Sequence, residues 1–237
     1  MSRKRILLIA TVLALVVVFS LAVAAKLVDG TYSLRGKEDT RGNYPTISVV
    51  VKNGKISSVD YKEYNGNAKT FKSKDNYTYE PYFTAIEVLN KKAVEVNGDI
   101  TKIDAAAGAT HSSANFMDIL VAAQIKAAKL VDKTYPALET KADSRGNKAK
   151  MVITVKGGKI DKIEYYEYNE ITGKAKTKGE YKWDAYFEAI EALPKRVLEN
   201  GGSLLDVDGY AGATATTGNF FALYRQYVNI LLTVAKM

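Results

Sequence analysis

Two short segments hold the residue types most suited to carrying a bound group: "DAAAGAT" at 104–110 and "DGYAGAT" at 208–214. In each, a Gly-Ala pair (Gly108-Ala109, Gly212-Ala213) precedes a threonine and leaves the backbone open, so a large group can approach the hydroxyls of Thr110 and Thr214. Each threonine stands just before an amphipathic helical pattern. The unpaired N–H groups and positive dipole end of such a helix favour a phosphate. Ser112, Ser113, Thr216 and Thr217 follow, placed to cap the helix or to bond phosphate oxygens. Spacing alone fits equally well a strand-to-helix turn with a Ser/Thr cap.

The rest of the composition narrows the chemistry. The chain has 237 residues, 47% hydrophobic and 25% charged, which suits a folded protein long enough for two domains. It contains no cysteine, which excludes disulfides, thiolate nucleophiles, iron–sulfur clusters, c-type haem attachment and a lipidated cysteine. His111 is the only histidine, so neither a multi-histidine metal site nor a Ser-His-Asp triad in each domain can be built. Any redox group must be organic and held by something other than sulfur. His111 has no counterpart in the second segment and reads as an exposed loop residue. The net charge is +8, with three charges from Arg3, Lys4 and Arg5 and the rest spread without a basic tract. This favours solubility and mild attraction to an anionic envelope or partner, and no nucleic-acid motif accompanies it.

The two segments belong to a longer repeat. "AKLVDGTY" returns as "AKLVDKTY", "DTRGN" as "DSRGN", "KNGKI" as "KGGKI" and "YFTAIEVL" as "YFEAIEAL". From Asp39 onward each match lies 104 residues further on, as Asp39 does from Asp143. A period so long implies a duplicated domain and not a solenoid. Each copy predicts the same elements. A first strand lies near "TYSL" or "TYPA", and a second at "TISVVVK" or "MVITVK". A tight Asn53-Gly54 or Gly157-Gly158 turn leads to a third strand, "KISSVDYKEYN" or "KIDKIEYYEYN". Helices follow at about 82–96 and 186–198, stopped by Gly98 and Gly201, and a last helix follows each "AGAT". The expected class is α+β: two tandem homologous domains, 26–127 and 128–237, each an antiparallel sheet with helices packed on it.

Ahead of them, residues 6–25 form an uncharged apolar run behind "SRKR". That is the length of a membrane-spanning helix, with basic residues favouring a cytoplasmic amino terminus. The alternative is a cleaved signal peptide. Both export the remainder of the chain.

At the "AGAT" segments the sequence resembles the FMN-binding domain family. That family includes covalently flavinylated subunits of the sodium-pumping NADH:quinone reductase and of the Rnf complex, and exported flavoproteins of Gram-positive extracellular electron transfer. The resemblance covers both repeats. It implies FMN joined through a phosphoester to Thr110 and to Thr214, two per chain, installed by a flavin transferase that uses FAD. Asp104, Gly108 and Ala109, with Asp208, Gly212 and Ala213, would complete the segments that the transferase recognises. Where the family has Ser or Thr, this chain has Ala107 and Ala211.

The resemblance also implies an extracytoplasmic electron carrier and not an enzyme in its own right. Its donor would be a membrane dehydrogenase or quinol-linked partner, its acceptor an exported reductase or soluble oxidant. A module that holds flavin or another ligand non-covalently, or a surface interaction protein, is the competing class. Tyr82-Phe83, Trp183 and Tyr186-Phe187 either border a flavin ring or, more simply, form core. Glu63 and Glu167 read as strand-end surface and the Lys-rich loops 69–74 and 174–178 as solvated, while Asp39/Arg41 and Asp143/Arg145 fit a turn pair as well as a ligand contact.

Overall fold

A computed structural model describes residues 26–179 and 181–234, as antiparallel sheets combined with four α-helices. The apolar run 6–25 lies outside the described residues. Among the described residues no helix is long and apolar enough to cross a membrane.

Up to Ala127 the chain forms β1 (Lys26–Leu27), β2 (Gly30–Arg35), β3 (Tyr44–Lys52), β4 (Lys55–Asn65), β5 (Thr70–Phe71), α1 (Glu80–Glu95) and α2 (Thr110–Ala127). Strands β2-β3-β4-β5 make one antiparallel sheet in that order. The second half forms β6 (Ala128–Lys129), β7 (Lys133–Thr134), β8 (Leu138–Glu139), β9 (Asn147–Lys156), β10 (Lys159–Asn169), α3 (Asp184–Glu199) and α4 (Thr214–Val234). Its sheet runs β10-β9-β7, with β8 also on β9. The single strand expected near "TYPA" is thus two short pieces. Pro136 between them has no N–H to give the ladder.

Both long hairpins turn through residues of positive φ, Asn53-Gly54 and Gly157-Gly158, as the twist of the paired strands requires. Asp29 accepts both turn N–H groups in the first half at 2.8 Å, and Asp132 does so in the second at 2.8 and 2.7 Å. The recurring "LVD" therefore clamps a turn. Just beyond, the register shifts by one residue at Ser57 and again at Asp161. Such a bulge flips the faces of everything after it. In β4 the inward set accordingly changes from Ile56 to Val59, Tyr61 and Glu63.

Helices α1 and α2 cover the first sheet, and α3 and α4 the second. Each sheet and its helices enclose their own core: Ile47, Val49, Leu89, Phe116 and Leu120 in the first, Met151, Ile153, Leu193, Phe220 and Tyr227 in the second. The halves also touch. β1 pairs with β6, α2 meets α4, Leu205 packs on the first core, and Val121 and Ile125 pack on the second. Arg225 faces Asp118 across this seam at 3.5 Å.

Candidate functional site

Thr110 and Thr214 are the first residues of α2 and α4, and both are exposed. The turn before each is shaped alike. Gly108 and Gly212 have φ of +76° and +77°, a region open to glycine and strained for other residues. Ala109 and Ala213 are buried beneath the turn, while Asp104, Ala107, Asp208 and Ala211 are exposed.

The expected hydroxyl caps are used otherwise. The N-cap of α2 is Ala109, which makes no side-chain cap. The Ser113 hydroxyl, fully buried, accepts the Ala106 N–H at 3.0 Å and donates to the Ala109 carbonyl at 2.9 Å. Thr217 likewise accepts the Tyr210 N–H at 3.0 Å. These hydroxyls close the loop onto the helix, and the first N–H groups of α2 keep no side-chain acceptor, the arrangement that favours an anion.

A second tie comes from the other helix of each pair. Tyr79, the N-cap of α1, donates its hydroxyl to the Gly108 carbonyl at 2.8 Å. Trp183, the N-cap of α3, donates its indole N–H to the Gly212 carbonyl at 2.7 Å. A phenol and an indole thus make the same bond at equivalent places. The two residues remain 47% and 57% exposed, so much of each aromatic side chain lies open beside the threonine turns. The core reading therefore fails for Trp183. It holds for Tyr82, Tyr186 and Phe187, which are buried, and Phe83 is half-buried.

Beneath these turns lies a feature that sequence reasoning missed. Glu63 and Glu167 are not surface residues: they are 7% and 4% exposed, turned inward by the bulges at Ser57 and Asp161. Nor are the Lys-rich loops simply solvated. Lys72 Nζ lies 2.5 Å from Glu63 Oε2, and Lys176 pairs with Glu167 in the same way. Each ammonium sits over two tyrosine rings, Tyr77 and Tyr82 at 4.2 and 4.6 Å, Tyr181 and Tyr186 at 4.6 and 4.9 Å. Tyr61 donates to Glu63 at 2.8 Å and Tyr165 to Glu167 at 3.0 Å. The Tyr165 hydroxyl also lies 3.3 Å from the Thr216 carbonyl, in the first turn of the helix that begins at Thr214. Burial, and then the adjacent carboxylate, push the Tyr61 and Tyr165 phenols far above their ordinary range. Burial lifts Tyr186 to about 12. At neutral pH the Tyr61 and Tyr165 phenols stay protonated and serve the buried carboxylates as donors. The signal was available: "YKEYN" and "YYEYN" are each followed by a lysine nine residues after the glutamate, at Lys72 and Lys176.

The remaining expectations resolve locally. Asp39 accepts the N–H groups of Arg41 and Asn43, each at 2.8 Å, and Asp143 does the same for Arg145 and Asn147, at 2.9 and 2.8 Å. The turn reading holds, through backbone bonds and not an ion pair with arginine. His111 is exposed, but in the first turn of α2 and not in a loop. The two motif aspartates differ. Lys37 of the first half reaches Asp208 Oδ2 at 2.8 Å, and that bond holds the Asp208 carboxyl below its ordinary range. Arg196 donates to the carbonyls of Asp208 and Gly209. Among the described residues no group of histidine, aspartate and glutamate side chains is arranged to hold a metal ion.

Two exposed hydroxyls at glycine-shaped turns, uncapped helix N–H groups and open aromatic faces suit a phosphate-bearing planar cofactor. Residues 145–229 match the FMN-binding domain family. The matched stretch contains the Trp183 tie, the Glu167–Lys176 pair and the Thr214 turn. A Clostridium perfringens protein of known crystal structure is 29% identical over 43% of this chain and 88% of that one, with a TM-score of 0.37. No curated protein matches the chain.

Proposed function

We propose that this chain is an extracytoplasmic electron-transfer flavoprotein carrying FMN on Thr214 and on Thr110 through phosphoester bonds. The FMN-binding match over 145–229 carries the reading, because it spans the turn that ends in Thr214. The first half supports a second flavin by presenting the same parts 104 residues earlier: Gly108 at positive φ, an exposed Thr110, the Tyr79 tie and the Glu63–Lys72 anchor.

Bound there, the flavin supplies the redox chemistry, accepting and passing on one or two electrons. The protein's part is to hold it. The helix N–H groups favour the phosphate, the glycine turn lets it approach the hydroxyl, and the Tyr79 and Trp183 faces offer stacking surfaces. A flavin transferase that uses FAD loads the threonines. A membrane dehydrogenase or quinol-linked partner reduces the carrier, and an exported reductase or soluble oxidant drains it.

Intact mass after co-expression with such a transferase tests this. The expected result is a mass gain of two FMN groups and a yellow colour that survives denaturation, with Thr110→Val and Thr214→Val each removing one group. Denatured protein that is colourless and of unmodified mass, alongside a transferase shown to be active, refutes covalent carriage. Flavin that is released on denaturation supports non-covalent holding instead.

A further inference from the structure

The two threonine turns sit in different surroundings, and the difference comes from the seam. Next along α2 from Thr110, with His111 and not Thr110 in its lining, lies a cleft of about 1020 Å³, close to the top of the roughly 300–1,000 Å³ typical of cofactor sites. One side is a face of α2, with His111, Asn115 and Asp118 at helical spacing from one another, adjoining the face that carries Thr110. Its floor holds Glu63 and Lys72. The opposite wall belongs to the other half of the chain: Leu204, Leu205 and Asp206.

That wall is fixed in place. Lys37 donates its backbone N–H to Asp206 Oδ1 at 2.6 Å and its ammonium to Asp208, and Leu205 packs on the first core. Less covers the corresponding face of α4: Ala222 is exposed where Asp118 is half-buried, and Ile171 (84%) and Tyr181 (37%), 104 residues after Asn67 and Tyr77 of the first cleft, are exposed as well. A cleft of about 860 Å³ adjoins the second motif at Asp208–Ala211, but neither α4 nor the first half borders it.

We propose that the second half completes the first half's cofactor site, so that a flavin on Thr110 is enclosed between the halves while a flavin on Thr214 stays open to solvent. The inference rests on the flavin reading above. The cleft lies against the helix that starts at Thr110, has room for the ring system, and offers amide side chains and an apolar wall to its polar edge and faces. The two carriers are then unequal. The open one meets soluble partners directly, and the enclosed one exchanges electrons through the seam.

Collisional quenching by iodide separates the two environments. The probes are the transferase-loaded Thr214→Val chain, whose flavin is on Thr110, and the Thr110→Val chain, whose flavin is on Thr214. A group with about 70–90% of its surface covered should be quenched roughly threefold or more weakly than an open one. Lys37→Glu, which sets a like charge against Asp206 and Asp208, should raise quenching of the Thr110-borne flavin towards the open value. If that variant does not fold, Asp206→Asn takes its place. Equal quenching in the two single-flavin chains, each confirmed loaded by mass, overturns the enclosure and leaves the flavin reading standing. Absence of covalent flavin from both chains overturns the reading itself, and the enclosure with it.

Discussion

Lys176→Met would leave the Glu167 carboxylate buried with a phenol proton and a long contact from Asn219 at 3.5 Å. The lysine side chain is 16% exposed and the glutamate 5%, so solvent screens little of this loss. A stability decrease of about 3–5 kcal/mol is expected by urea denaturation. Adding Glu167→Gln should restore much of it, because an uncharged amide no longer requires the ammonium. A double mutant no more stable than Lys176→Met alone would show that the lysine acts through its packing on Tyr181 and Tyr186. The glycine before the threonine gives a second test at this scale. Gly212→Ala forces a Cβ into φ +77° and within 3.3 Å of Ala185 Cβ. A cost of about 1–2 kcal/mol is expected, with flavin loading falling at Thr214 and unchanged at Thr110 by peptide mass mapping.

The helices and hairpins were legible from periodicity and turn chemistry. The strand expected at "KISSVDYKEYN" is β4, Lys55–Asn65, and the helices expected at about 82–96 and 186–198 are Glu80–Glu95 and Asp184–Glu199. What sequence could not resolve was which face each strand residue takes. The extra residues Ser57 and Asp161 shift parity partway along a strand whose composition gives no warning. Glu63 and Glu167 therefore went inside against expectation, and with them the meaning of Lys72 and Lys176. The ties between helix and turn were equally hidden, because equivalent bonds use different residues. Gln124 donates to the Gly98 carbonyl at 3.0 Å, and in the second half Tyr224, one helical turn earlier in the repeat, donates to Gly202 at 2.6 Å. Tyr224→Phe leaves that carbonyl buried without its donor. A destabilisation of about 1–3 kcal/mol is expected in a thermal or urea melt, and an unchanged midpoint would mean that water replaces the phenol.

Across the whole molecule, buried tyrosines set the alkaline limit. Tyr61, Tyr82, Tyr165, Tyr186 and Tyr224 all have pKa values raised by burial, Tyr186 to about 12. The folded state therefore keeps protons that the unfolded chain gives up near pH ~10. Stability from this source is fully present below that pH and falls as pH rises towards the folded values. The urea midpoint should hold steady from neutral pH to about 9 and then decline. The tyrosinate absorbance of the buried group should appear together with unfolding. A tyrosinate titration complete while the protein is still folded would contradict the burial.

The pairing of β1 with β6 has a consequence for how the chain is made. Leu27 is fully buried in the first core, yet its strand partner is Ala128, and the Val28 N–H bonds to the Ala127 carbonyl. During vectorial synthesis, the leading edge of the first half must wait about a hundred residues for its mate. The first half then closes only as the second begins to arrive, so the seam is drawn together while the polypeptide is still emerging.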